Sequence, residues 1–406
     1  MSALGHQSPA KPDSTSAGPS AAVATRAQIC FVHACMFIFG IVLLLMGSLL
    51  PAMPVSAAHA GSLGSLPLAG ILAATVLVGP VFDKAGPKPV LMLSLALIAG
   101  AMAVLPSLSS WPALAVAALA YGFGGGILNT VTNALVSVLR ASTRASALNL
   151  LGFSFSLGAI AAPLLFAVAQ GAFSPAVLLR ILAAAPAAIL LLMLPLKFPR
   201  GLRAGEPLTV LLAALRHPAL WIFGILLFFE SGNENCVFVW AGRLVAETLH
   251  PSRNLADLAL VAVSVALGAG RLLAALTSRW VANRTLLLAS CAIILGGSAA
   301  VASAIHGLGF AAAIAGFAVL GLGMASVFPT TLAMAGERFP GETGTAFGAI
   351  MTIALLGGTA GPLAGGWLSA RHPAGVLWAP VGAAAGIILT VVAALRPAVG
   401  SVEKPR

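Results

Sequence analysis

The sequence predicts an all-α membrane protein: twelve transmembrane helices in two related six-helix halves. Three observations predict it. Of the 406 residues, 60% are hydrophobic and only 8% are charged, too little charge to cover the surface of a soluble protein of this length. Apolar runs close to the roughly 20 residues that span a bilayer follow one another along most of the chain. Basic residues are shared unequally between alternate loops. The 44 glycines and 26 prolines fit this reading, because neighbouring helices satisfy the backbone groups that such residues free inside a membrane.

Residues 1–27, rich in Ser, Ala, Pro and Gly, are expected to form a disordered cytoplasmic tail. The first apolar run begins only near Gln28 and is long enough to span, unlike the core of a cleaved signal peptide. The first bundle covers 28–196, with helices over 28–50, 66–82, 90–105, 111–138, 145–169 and 175–196. A more polar cytoplasmic linker follows over 197–218. The second bundle covers 219–395, with helices over 219–240, 258–276, 280–305, 308–335, 343–368 and 376–395, and 396–406 form a second cytoplasmic tail.

The loops test this count. An even number of spans puts both termini on one side. Of the 21 Lys and Arg residues, only Arg243, Arg253 and Arg371 then fall in external loops, and Arg180 and Arg271 fall within helices. The remaining sixteen lie in the loops and tails assigned to the cytoplasm, which is the expected asymmetry. This placement also accounts for the net charge of +11 without a nucleic-acid partner. The four cysteines, Cys30, Cys35, Cys236 and Cys291, fall in apolar segments and read as small packing residues.

The halves repeat. Leu157-Gly158-Ala-Ile-Ala161-Ala162-Pro163-Leu164 matches Leu356-Gly357-Gly-Thr-Ala360-Gly361-Pro362-Leu363, and Gly122-Phe-Gly124 matches Gly321-Leu-Gly323. Both pairs are separated by the same 199 positions, 157 to 356 and 122 to 321. They equate helix 5 with helix 11 and helix 4 with helix 10.

Between helices 2 and 3 stands Gly79-Pro-Val-Phe-Asp83-Lys84-Ala-Gly86-Pro-Lys88-Pro-Val-Leu91. This resembles the signature loop of the major facilitator superfamily: Gly, three residues, Asp, a base, any residue, Gly, then bases. The resemblance implies two six-helix halves rocking around a midplane site. It implies a gating role for Gly79, Asp83, Lys84, Gly86 and Lys88, with Gly79 allowing close helix approach and Gly86 making the turn. The corresponding loop after helix 8, from Leu276 to Arg284, keeps Arg279 and Arg284 but lacks the Asp and Gly. The run from Gly357 to Gly366 has the spacing of the glycine-proline motif of facilitator antiporters. It falls on helix 11 instead of helix 5, so it is read as close helix packing.

Several segments resemble the fucose permease-like branch, which comprises sugar/proton symporters: Met46-Gly47-Ser48 with Pro51, Gly124 to Asn133, Leu148-Asn149-Leu150 continuing to Phe155-Ser156-Leu157-Gly158, Phe228 to Glu234, Gly270-Arg271 running on to Arg279, and Gly321 to Thr330. In that branch acidic side chains in helices 1 and 4 serve sugar binding and proton coupling. The matching positions here are Gly47 and Asn129, and neither carries a proton.

Polar groups inside a bilayer are costly and face a cavity or a partner. Glu230 and Glu234 are four apart on helix 7, hence on one face. Two such carboxylates do not both ionise readily, so one is a candidate proton carrier. The alternative is a structural pair with Arg271 on helix 8. The run Gly232-Asn233-Glu234-Asn235 suggests a broken helix. Asn129, Asn133, Asn149 and Asn233 are candidate solute ligands, since each amide offers donors and acceptors; bridging between helices is the alternative. His33 reads as a packing or interhelical group. Phe228, Phe229, Phe238 and Trp240 give helix 7 an aromatic wall, expected to pack toward lipid; stacking on a sugar face is the alternative.

These readings predict a secondary active or facilitative transporter of a small polar solute, such as a sugar. The alternative is an exporter or exchanger of anionic or amphipathic small molecules anchored by Arg271. No Gly-rich nucleotide loop, metal cluster or nucleophilic triad appears, so neither enzyme activity, a cofactor nor a metal is expected. The expected partners are a small solute, protons as a candidate coupling ion, and the lipid bilayer, with the chain acting as a monomer. Short loops and tails suggest the inner membrane of a bacterium.

Overall fold

The computed structural model describes residues 26–53, 55–140, 144–169, 171–198, 216–251, 253–277, 280–339 and 343–394. The expected tails, most of the linker and Arg279 lie outside the described residues. Among those described there are helices and no strands. The first half holds α1 (Arg26–Leu49), α2 (Ala57–Ala85), α3 (Pro87–Val104), α4 (Trp111–Leu139), α5 (Arg144–Ala169) and α6 (Pro175–Met193). The second holds α7 (Pro218–Leu249), α8 (Leu258–Thr277), α9 (Asn283–Ser303), α10 in two pieces (Gly309–Met324 and Val327–Arg338), α11 (Thr343–Ser369) and α12 (Trp378–Ala394).

Ten stretches are long and apolar enough to cross a membrane. The longest, Asn283–Arg338, contains both α9 and α10, and Leu258–Ala274 adds a shorter apolar helix. Among the described residues this makes twelve, as the sequence predicts. The chain is a multi-pass membrane protein, and large apolar side chains such as Leu192 and Leu272, each 70% exposed, face outward where lipid replaces water.

Local chemistry sets the helix ends. Ser56 and Ser174 cap α2 and α6 by accepting from the amides of His59 and Val177. Gly86 turns α2 into α3 at φ +80°, and Pro87 opens α3. Gly307 and Gly309, at φ +150° and +81°, break α9 from α10. The break inside α10 at Ala325–Ser326 has a cause one turn on: Pro329 lacks an amide hydrogen and its ring displaces the carbonyl four residues back.

The repeat read from sequence is also a packing repeat. α1 packs on α5 as α7 packs on α11; α2 packs on α4 as α8 packs on α10; α3 packs on α6 as α9 packs on α12. The repeated glycines make these contacts. A Cβ on Gly158 would strike the backbone of Phe37 on α1, and one on Gly357 would strike that of Phe228 on α7. Gly122 meets Pro67 of α2, as Gly321 meets Val263 of α8.

Three expectations are corrected. α7 runs unbroken for 32 residues: Gly232 serves close packing, since a Cβ there would meet the Gly357 carbonyl oxygen at 3.1 Å. α7 also continues nine residues past the expected end, so Arg243 belongs to the helix and not to a loop. Phe238 and Trp240 are buried, at 3% and 2% exposure, and do not face lipid. Of the cysteines, Cys35, Cys236 and Cys291 are buried as expected, whereas Cys30 is exposed.

Candidate functional site

The two halves meet along α2–α11, α5–α8 and α1–α7. Between α5 on one side and α7 and α8 on the other lies a narrow crevice. Phe155, Ser156, Ala159 and Ile160 form its first-half wall. Glu234, Phe238, Ser264, Leu267, Gly268 and Arg271 form the opposite wall. It leaves clear room for about one water molecule.

Its charged groups are Glu234 and Arg271. Arg271 Nη2 stands 3.5 Å from Glu234 Oε1, with the side chains 34% and 13% exposed. The pair is therefore loose and partly open to the crevice. Glu230, one turn before Glu234, is fully buried, and neither of its carboxylate oxygens has a hydrogen-bond partner among the described residues. Asn233, on the same face, is 1% exposed and its amide is likewise unpartnered there. This cluster thus holds two carboxylates to one guanidinium, and the guanidinium sits against the outer carboxylate.

The candidate solute ligands of the first half are polar without charge. On α4, Asn133 Nδ2 donates to the Asn129 backbone oxygen at 2.7 Å and to Asn129 Oδ1 at 3.0 Å. Both are half-buried. His33 Nδ1 lies 2.8 Å from Ser154 Oγ, tying α1 to α5. Asn149 lies on α5, but its side chain falls outside the described residues, as do those of Gly79 and Asp83. Gly86 makes the turn expected of it. Lys88 Nζ donates to the Leu194 carbonyl at 2.5 Å, capping the C-terminal end of α6 within its own half.

The sequence matches the Major Facilitator Superfamily family model over residues 29–314 and again over 223–406. The chain belongs to that superfamily. No curated protein sequence matches it significantly. Among solved structures it is similar to nucleoside transporter NupG (14% identity, 90% of this chain and 97% of that one, TM-score 0.73). It is also similar to a D-xylose-proton symporter (16%, 90% and 96%, 0.72). The E. coli fucose:proton symporter FucP matches at 20% identity over 90% and 97% of the two chains, with a TM-score of 0.59. The protein is a membrane transporter of a small solute and not an enzyme.

In this facilitator the structure brings together Glu234 and Arg271 at the seam between halves, with Glu230 and Asn233 buried behind them. It does not bring Asn129 or Asn133 to the crevice, whose first-half wall comes from α5. Sequence reading reached Phe155 and Ser156 only as part of a branch-like segment and missed Ser264; that these line one crevice is a tertiary fact. Gly47, at the position of the branch's helix 1 acid, instead lets α1 close on α7: a Cβ there would meet the Phe238 carbonyl carbon at 3.0 Å.

Proposed function

We propose that this facilitator carries a small polar solute, a sugar foremost, by alternating access in a cell (inner) membrane, with both termini cytoplasmic. The observation that carries the reading is the crevice: it lies at the seam of the two halves, and its charges are one carboxylate and one guanidinium. Ser156 and Ser264 supply hydroxyls, and Phe155 and Phe238 supply flat apolar faces. The Asn129–Asn133 pair is the second polar group assigned to the solute path. The crevice must widen to admit a solute, which is the work of rocking one half against the other.

Charge balance supports coupling to a proton. Arg271 offsets one carboxylate, and a second, unpaired buried charge is very costly. Glu230 is then held in the neutral acid form in one state and gives up its proton in the other. The gating residues Gly79, Asp83, Lys84, Gly86 and Lys88 belong to this cycle at the end that holds the α2–α3 loop, which the basic-residue asymmetry assigns to the cytoplasm.

A second reading has its own support. Arg271 is a third exposed and its ion pair is loose, so an anionic solute could take the guanidinium in place of Glu234. The test is uptake of labelled sugars, nucleosides and organic anions into proteoliposomes, with and without an inward proton gradient. Gradient-driven sugar uptake that disappears in Glu230→Gln supports the first reading. Anion uptake abolished by Arg271→Gln, with no neutral solute moved, replaces it with the second.

A further inference from the structure

Arg243 entered the sequence count only as a loop charge. In the structure it lies in the last turns of α7, 8% exposed, and contacts the other half. Its Nη2 donates to the carbonyl of Val55, in the α1–α2 loop, at 2.7 Å. Its Nε donates to Glu247 Oε1 at 2.6 Å. Its guanidinium carbon stands 5.6 Å from the ring centroid of Trp240, within range of a cation–π contact. Trp240 Nε1 in turn donates to the Pro362 carbonyl on α11 at 3.1 Å. That same carbonyl faces the first half, since a Cβ on Gly61 of α2 would meet it at 2.7 Å. Beside Arg243, a Cβ on Gly242 would meet Pro51 Cγ at 3.1 Å. Contacts between halves thus run from Val55 through Arg243 and Trp240 to Pro362 and back to Gly61.

We propose that Arg243 is the latch of the α1–α2 loop end, a positioning residue that holds the two halves together there without touching solute. Three features suit it to the task. Its partner in the opposite half is a backbone carbonyl, so the bond depends on the loop's position and not on a side chain. Glu247 keeps the guanidinium aimed across the seam, and a planar fork makes both bonds at once. Its Nη1 is buried with no hydrogen-bond partner among the described residues. That donor gains water when the end opens, which offsets part of the closing bonds and keeps closure reversible.

The inference rests on the alternating-access reading, but its test needs no solute. Val239 lies on α7 beside Trp240, is 4% exposed and faces α2 across the seam, where a Cβ on Gly64 would meet its Cγ2 at 2.9 Å. Labelling of a cysteine placed there (Val239→Cys) by a polar maleimide in the full-length protein in nanodiscs, followed by peptide mass spectrometry, reports opening of this end. Arg243→Ala is expected to speed labelling at position 239 about tenfold or more, the equilibrium value of a charged hydrogen bond. Arg243→Lys, which keeps the charge and loses the fork, is expected to fall between. Glu247→Gln, a change at a side chain 36% exposed that should not impair folding, is expected to give a rise of about threefold. An unchanged rate at position 239 in these variants overturns the proposal. So does a rise shared equally by Cys291, buried in the second-half core, because that reports general loosening. Failure of sugar uptake with the labelling result intact leaves the latch standing, and the reverse outcome removes the latch alone.

Discussion

The two halves share one packing plan and differ in their chemistry. In the first half, the polar side chains inside the spans of α1, α4 and α5 are amides, hydroxyls and one histidine, among them the pairs Asn133 with Asn129 and His33 with Ser154. In the second, α7 and α8 carry Glu230, Asn233, Glu234 and Arg271, and the first two are buried without hydrogen-bond partners among the described residues. The difference teaches that repeat symmetry governs where helices touch, while function is loaded unequally on the copies. Equivalent glycines, Gly158 and Gly357, must stay glycine because backbone faces them. No such constraint binds the side chains facing the seam.

The sharpest way to break this comparison is Glu230→Gln. If the charge in the second half drives coupling, proton-driven accumulation is lost outright, while thermal stability is kept or raised, since a neutral amide costs less to bury than an unpaired carboxylate. Retained accumulation would place coupling elsewhere.

Next in size is Arg271→Ala, expected to cost about 2–3 kcal/mol of stability, at or below the low end for a buried pair because Arg271 is a third exposed. The double variant Arg271→Ala/Glu234→Gln is expected to recover most of that loss in a thermal melt. No recovery would mean that the guanidinium serves packing and not charge balance.

The packing side of the comparison is tested by Gly158→Ala and Gly357→Ala. Each pushes a methyl group into facing backbone, and each is expected to cost about 1–3 kcal/mol, with similar values for the two halves. A twofold or greater difference in denaturation free energy would show that the repeat is not mechanically equivalent. The smallest effect is expected from Asn133→Ala, about 0.6 kcal/mol, the scale of a side-chain hydrogen bond inside a membrane protein. Solute affinity that falls more than about tenfold in this variant would assign the asparagine pair to the solute path, as proposed.

Helix number, the two-half plan and the turn at Gly86 were legible in the sequence because they follow from local causes. A bilayer demands apolar runs of fixed length, prolines and glycines set helix ends, and a repeated glycine demands a repeated close approach. The candidate pair Glu234 and Arg271 was legible too, since charge in an apolar run is conspicuous. Less was readable where one residue type has two uses. Gly232 looked like a helix break and proved to be a contact with α11, whereas the break fell at Ala325–Ser326, ahead of Pro329. Phe238 and Trp240 looked like lipid-facing aromatics and are buried, Phe238 at the seam and Trp240 against α11.

By itself, then, the sequence determined that this chain crosses a membrane many times in two related halves, because solvation of backbone and side chain leaves no other arrangement. Only the tertiary structure decided which polar groups meet. It set Arg271 against Glu234 and left Glu230 alone, and it brought Arg243 to Val55 across 188 residues of sequence. Such encounters depend on how whole helices lean and rotate against one another, and that is a sum over the full packing surface that no local pattern encodes.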